Sequence, residues 1–318
     1  MPAETPRALH AFAVLLVGAV LGLIAAGGLV KSLEAGLSVP DWPTSYGGWN
    51  PPRWWEIENV RAEHGHRLIA GTVASLTVAM ALWAWRREPR RWVRRVAYGA
   101  VAAVLLQALL GGITVLFFLP TAVSVSHAAL AQLYLCLVVA FALATSRGWR
   151  SLAAGGGRGA AAEALRGPAT ATTALIYAQI LLGALVRHTG SGLAIPDFPL
   201  MFGRWWPPQL DFSIAIHLAH RLGALAVTLA VGLLVARVWS RGERSGLLGP
   251  ALVMALLVAV QVSLGASIIW TGRAVLPNTL HVPTGAALLA ASLVLTLRAW
   301  HAAVRVRAVP AAVSAVAA

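Results

Sequence analysis

Four histidines recur in register in a chain that carries little other polarity. His66 is followed by Arg67, and 154 residues later His220 is followed by Arg221. Gln107 and His127 recur at the same offset as Gln261 and His281. Imidazole is a common axial ligand of haem iron, and two facing histidines fill both axial positions. The pairs His66 with His127 and His220 with His281 therefore read as iron ligands for two haems, one in each half of the chain. Arg67 and Arg221 are placed to hold haem propionates or a loop carboxylate bidentately. Gln107 and Gln261 read as interhelical hydrogen-bond residues.

The halves differ beside these ligands. Glu63 stands three residues before His66, and His217 stands three before His220. On a helix that spacing shares a face, so both side chains point toward the same haem as their neighbour. A carboxylate at a membrane edge is costly to desolvate, which makes Glu63 a catalytic candidate. The alternative is a first-turn glutamate that favours the helix dipole. His64 lies off that face, and nothing in the sequence assigns roles to His64, His188 or His217.

The elements that position these groups follow from composition. A chain of 318 residues with 58% hydrophobic and 11% charged residues and a positive mean hydropathy is an integral membrane protein, not a soluble domain. Eight stretches can cross about 30 Å of hydrocarbon as helices: residues 11–31, 63–85, 96–117, 126–146, 169–187, 214–236, 248–270 and 278–298. They are helical because lipid offers no partner to free backbone groups. Arginines after the second, fourth and sixth spans, with Arg7 and Arg298 near the ends, place both termini in the cytoplasm of a cell (inner) membrane. The formal charge of +14 anchors against an anionic leaflet, and no aromatic-basic motif supports a nucleic-acid partner.

Organisation is set by an internal repeat. GGLVKSLEAGLSVPDWP from Gly27 matches GALVRHTGSGLAIPDFP from Gly183, so the first span belongs to a repeated unit and is not expected to be a cleaved signal. Gly36, Pro40, Asp41, Pro43, Gly47, Pro51 and Pro52 recur 156 residues later, and the loss of two residues then gives the histidine offset. Each half has an even number of spans, so the repeat is parallel. The expected architecture is all-α: two tandem, pseudo-symmetric four-helix bundles over 1–147 and 168–307, a flexible cytoplasmic linker over 148–167 and a disordered tail over 308–318. Trp42, Trp49, Trp54, Trp55, Trp205 and Trp206 in the outer loops read as an interfacial belt. All four repeating histidines fall within about one turn of the outer end of an even-numbered span. The cytoplasmic side holds only His10 and His301, so two haems would lie side by side near the outer face and form no transmembrane electron wire. The lone Cys136 lies inside the fourth span and allows no intrachain disulfide.

With these motifs the chain resembles the haem A synthase family of respiratory membranes over about residues 11–300. GLSVPDWP, EHGHR, GGITV, Leu119-Pro120 and Ser126-His127 are similar to its first half; VRHTGSGLAIPDFP, HLAHR, QVSLGAS and LPNTLH are similar to its second. The resemblance implies an oxidoreductase of haem biosynthesis and cytochrome oxidase assembly. It would oxidise a methyl group of haem O to the formyl group of haem A. His220 and His281 would then hold a resident haem b that relays electrons, and His66 and His127 would bind the haem O substrate beside Glu63. Haem O synthase and a membrane electron carrier are candidate partners, and an oligomer is open. Many members carry a cysteine pair in the outer loops; here those loops contain none. Two other classes fit the residues: a di-haem bis-histidine electron-transfer cytochrome in which Glu63 is dispensable, and a haem or metal transporter. The transporter ranks last because the inner halves of the spans are almost wholly apolar.

Overall fold

The computed structural model describes residues 7–152, 159–240 and 246–308. Within them the protein is all-helical. The long helices are α1 (Arg7–Ser32), α2 (Glu58–Arg87), α3 (Arg91–Leu116), α4 (Thr121–Thr145), α6 (Gly159–His188), α7 (Phe212–Ser240), α8 (Leu248–Trp270) and α9 (Val275–Ala308), with a short α5 (Arg147–Leu152) after α4. The eight long helices are each long and apolar enough to cross a membrane, so the chain is a multi-pass membrane protein. Several run past their apolar stretch: α2 begins five residues before Glu63 and ends on Arg86 and Arg87. Charged residues end a hydropathy signal without ending backbone hydrogen bonding.

The segment 148–167, read as a flexible linker, is helical wherever it is described, in α5 and in the first turns of α6. The first turns of α6 are rich in alanine, a strong helix former, and residues 153–158, with Gly155, Gly156 and Gly157, lie outside the described residues. The expected tail lies outside the described residues apart from Ala308, the last residue of α9.

In the first half, α1 packs on α2, α2 on α3, α3 on α4 and α4 back on α1. Helices α6, α7, α8 and α9 close a ring in the same order. The rings meet through α1, α4, α6 and α9. Their cores are dominated by aliphatic residues and small alanines, such as Ala13, Ala84, Ala97 and Ala100 in one and Ala169, Ala251 and Ala299 in the other. Small residues let helix backbones approach closely in lipid, where packing replaces the hydrophobic drive. Pro283 inside α9 has no N–H for the carbonyl of Thr279. That carbonyl faces α1 at Gly28, where an added Cβ would lie 3.3 Å from it. Beside this contact Arg187 at the end of α6 donates to the Gly28 carbonyl (2.7 Å), the Ser32 hydroxyl (2.9 Å) and the Asn278 carbonyl (3.0 Å). One guanidinium thus ties α6 to both α1 and α9.

The outer loops fold alike. Tyr46 and Gly47, and again Phe202 and Gly203, have positive φ, the backbone of a tight turn that favours glycine at its second central position. The pairs Ser45 with Gly48 and Met201 with Arg204 close these turns. Of the loop tryptophans, Trp49 (75% exposed) and Trp205 (77%) face outward with Trp55 and Trp206, as a belt requires. Trp42 instead lies over α3 at Gly112, where a Cβ would meet its ring at 2.5 Å, and Trp54 packs edge-on against His64 at 4.9 Å between ring centres. Gly112→Val should therefore displace Trp42 and cost about 1–3 kcal/mol, read as a lower thermal midpoint in detergent; an unchanged midpoint would show that the loop does not depend on this seat.

Candidate functional site

The four repeating histidines hold equivalent places in the helices of the two halves. His66 and His220 each lie eight residues past the first residue of α2 and α7, and His127 and His281 each lie six past the first of α4 and α9. Each ring turns its Cε1 edge to a glycine on a neighbouring helix: His66 to Gly27, His127 to Gly111, His220 to Gly183 and His281 to Gly265. A Cβ at these glycines would lie 3.1, 3.3, 2.9 and 3.4 Å from Cε1, respectively. At Gly183 a Cβ would force the His220 ring to shift, and at Gly27 and Gly111 it would crowd the ring. Gly27/Gly183 and Gly111/Gly265 recur in the repeat, so the ring-edge contact is common to both halves.

The rings of His220 and His281 stand 6.4 Å apart between centres. Two imidazoles that ligate one iron from opposite sides, each nitrogen about 2 Å from the metal, place their ring centres roughly 6 Å apart. His66 and His127 are likewise close enough to interact electrostatically. The Nδ1 atoms of His66, His127 and His281 are buried without a hydrogen-bond partner. Among the described residues no group of three or more His, Cys, Asp or Glu side chains converges. A bare metal ion wants that many protein ligands, whereas a haem iron, with four positions filled by its macrocycle, wants a pair. The residues present fit haem.

Beside His66, Glu63 is almost fully buried at 3% exposure. Its Oε2 accepts the backbone N–H of Val39 (2.9 Å) and its Oε1 accepts from Arg67 (2.7 Å). In the second half His217 takes the same place: its Nδ1 accepts the N–H of Ile195 (3.2 Å), the repeat counterpart of Val39. One loop amide thus meets a carboxylate in one half and an imidazole in the other.

Arg67 also donates to the carbonyls of Val39 (2.9 Å), Asp41 (2.6 Å) and Thr44 (2.8 Å). Arg221 donates to the equivalent carbonyls of Ile195 (3.1 Å), Asp197 (2.7 Å) and Leu200 (3.0 Å). Both arginines hold the outer loops by backbone oxygens, and the expected loop-carboxylate pairing is not made. The two aspartates serve their own turns instead. Asp41 accepts from the Thr44 hydroxyl and the Tyr46 and Gly47 amides, and Asp197 from the Phe202 and Gly203 amides. For Asp41 burial pushes the carboxyl up, but these three bonds together outweigh it and hold it down at about 2 against an ordinary 3.8. Asp197 is lowered first by the Gly203 amide.

His64 donates to or accepts from the Ser45 hydroxyl at 2.9 Å. Its counterpart in the second half is Leu218, packed with Met201 where Ser45 would stand. His188 ends α6 near Lys31, Arg187 and His127. Gln107 donates to the His127 carbonyl at 2.9 Å, an interhelical bond as expected. Gln261 approaches α9 at Gly285, where a Cβ would lie 3.2 Å from its amide nitrogen.

Residues 56–294 match the family described as cytochrome oxidase assembly protein. The chain belongs to that family. Among relatives, the haem A synthase of Halalkalibacterium halodurans is 29% identical over 86% of this chain and 91% of its own length. That of Symbiobacterium thermophilum is 31% identical over 82% and 85%, and that of Shouchella clausii 31% over 67% and 71%. The family match spans all four repeating histidines and Glu63.

Because the Asp41 carboxyl is depressed, its contribution to the loop is fully present above about pH 4 and is lost as pH falls through about 2. Asp41→Ala removes it at any pH: amide exchange at Tyr46 and Gly47 should rise about tenfold or more at neutral pH. Unchanged protection would show that the turn holds without the carboxylate.

Proposed function

We propose that this protein is a haem A synthase, oxidising a methyl substituent of haem O to a formyl group by two successive hydroxylations. The observation that carries the reading is Glu63: a buried carboxylate, fixed at both oxygens, three residues from a paired histidine in one half only. Family membership supports the substrate, since the matched relatives are named haem A synthase.

His66 and His127 bind the substrate iron on its two faces. With both axial positions filled, oxygen cannot be activated on that iron, and the substrate is oxidised by loss of electrons. The balance is R–CH3 + H2O → R–CHO + 4 H⁺ + 4 e⁻, with water as oxygen source and a geminal diol that loses water in the last step. Glu63 accepts a proton leaving the methyl carbon. Arg67 and the Val39 amide hold the carboxylate so that it need not reorganise as charge develops. His220 and His281 hold haem b, which when bound supplies one-electron relay toward a membrane acceptor. Arg67 and Arg221 seat the outer loops beside the two histidine pairs, and haem propionates would be held from that loop side. Each site belongs to its own four-helix bundle, 1–147 and 168–307. The arginine distribution supports cytoplasmic termini and two sites toward the outer face. Haem O synthase is the partner whose product this site consumes.

The test is extraction of haems, identified by mass, from protein expressed with a haem O source. Haem A or a hydroxylated haem O beside haem b is expected; haem b alone would make the protein an electron carrier. Glu63→Gln should keep both haems bound and lower haem A formation by about 10²-fold or more; normal product formation would remove the carboxylate from the chemistry. His220→Ala should abolish bound haem b while leaving haem O binding in the first half.

A further inference from the structure

Beside the first histidine pair the seam between α1 and α2 holds a cavity of about 400 Å³, lined by Ala19, Gly22, Leu68, Ile69, Thr72 and Val73. Its loop end is closed where Gly27 of α1 meets the edge of the His66 ring. Ile69 and Val73 follow His66 by one and two turns, and Gly22 precedes Gly27 by more than one. The cavity therefore starts roughly 5–8 Å beyond the ring, toward the middle of both helices. Its outer side is open: Leu68 is 43% and Ile69 42% exposed, and Gly22 and Thr72 are exposed as well. None of the six lining residues carries a charge. The Thr72 hydroxyl donates to the Leu68 carbonyl at 2.9 Å, so the wall offers no free donor and is apolar in effect.

The same seam of the second half is built differently. At the 156 offset Ala19, Gly22 and Leu23 correspond to Leu175, Ala178 and Gln179, and at the 154 offset Ile69 corresponds to Gly223. Leu23 packs into the core of the first bundle. Gln179 instead crosses from α6 to the His220 carbonyl at 2.7 Å and lies over Gly223, where a Cβ would collide with its Oε1. Helix α6 thus has the larger side chain at both lining positions, and Gln179 fills the room beside Gly223. At Gly22, by contrast, an added Cβ would meet nothing within 4 Å.

We propose that the groove between α1 and α2 seats the isoprenoid tail of haem O. The proposal rests on the assignment of haem O to His66 and His127. Haem O differs from haem b in carrying a long, branched isoprenoid chain, on the ring edge remote from the propionates. With the propionates toward the loop, that edge points along α2 past His66, where the groove lies. An uncharged wall with no free donor suits a hydrocarbon chain, and the volume falls within the range of small-molecule sites, about 300–1,000 Å³. Lipid is as apolar as the groove, so the groove contributes fit and not transfer from water. Selection between the two haems is then steric: the open seam admits the tail, and the seam occupied by Leu175, Ala178 and Gln179 suits the haem that has none.

The experiment uses purified full-length protein holding haem b in its second half, titrated with haem O and, separately, with further haem b, and followed by its optical spectrum. The unaltered protein should bind haem O in its first half more tightly than haem b. Gly22→Leu places a side chain in the groove and strengthens the helix; it should weaken haem O binding about tenfold or more while leaving haem b affinity unchanged. Thr72→Phe, which fills the groove from α2, should act in the same direction. An unchanged ratio of the two affinities in both variants overturns the proposal, as does an equal loss of both haems. Loss of a co-purified phospholipid with the ratio unchanged would assign the groove to a lipid acyl chain and overturn it too. His66→Ala tests the underlying assignment separately: undiminished haem O binding in that variant would overturn the placement of haem O, whatever the groove variants show.

Discussion

Each half of the molecule depends on one guanidinium that gathers three backbone carbonyls of the loop above it. Arg67 collects Val39, Asp41 and Thr44; Arg221 collects Ile195, Asp197 and Leu200. Carbonyls at the end of a membrane bundle are strongly acceptor-rich and have few donors nearby. A planar cation with five N–H groups answers several at once, where a lysine ammonium would answer fewer and without fixed direction. Because the arginine follows the ligand histidine directly, the same turn of helix sets the ring and seats the loop. The loop in return delivers one N–H, from Val39 or Ile195, back to the helix at the position that distinguishes the halves.

Onto that shared frame the halves place different chemistry at several coupled positions. Glu63 faces Arg67 and balances its charge, whereas His217 leaves Arg221 without a bonded carboxylate. His64 and Ser45 bond to each other in one loop seat; Leu218 and Met201 pack in the other. Leu23 and Ile69 exchange for Gln179 and Gly223. Each exchange keeps its site internally matched, polar with polar or large with small, which is how a repeated fold diverges while its packing holds.

The spans, the loops and the histidine pairs were legible because each is written in side chains: apolar runs, Pro and Gly at turns, and rare imidazoles in register. Partners supplied by the backbone leave no such mark. Nothing in the side chain of Val39 announces that its amide will hold Glu63 across 24 residues of sequence, and Arg67 and Arg221 looked like anion binders because carbonyl acceptors are anonymous. The ring-edge glycines recur with the repeat, yet glycine is common throughout this chain, so recurrence alone did not single them out. Helix ends were underread at α2 because Arg86 and Arg87 silence hydropathy while the backbone continues. In the 148–167 segment the stretches on either side of residues 153–158 are helical, which glycine content alone does not reveal.

The common level of the two histidine pairs has an electrical consequence. Moving a charge across the membrane potential costs or releases roughly 2.3 kcal/mol per 100 mV, but a charge that passes between two sites at equal depth travels along the plane of the bilayer and crosses none of that field. In the proposed reaction, electrons passing between the two pairs would therefore be insulated from the energised state of the membrane. A respiring cell and a de-energised one would present such a transfer with the same driving force.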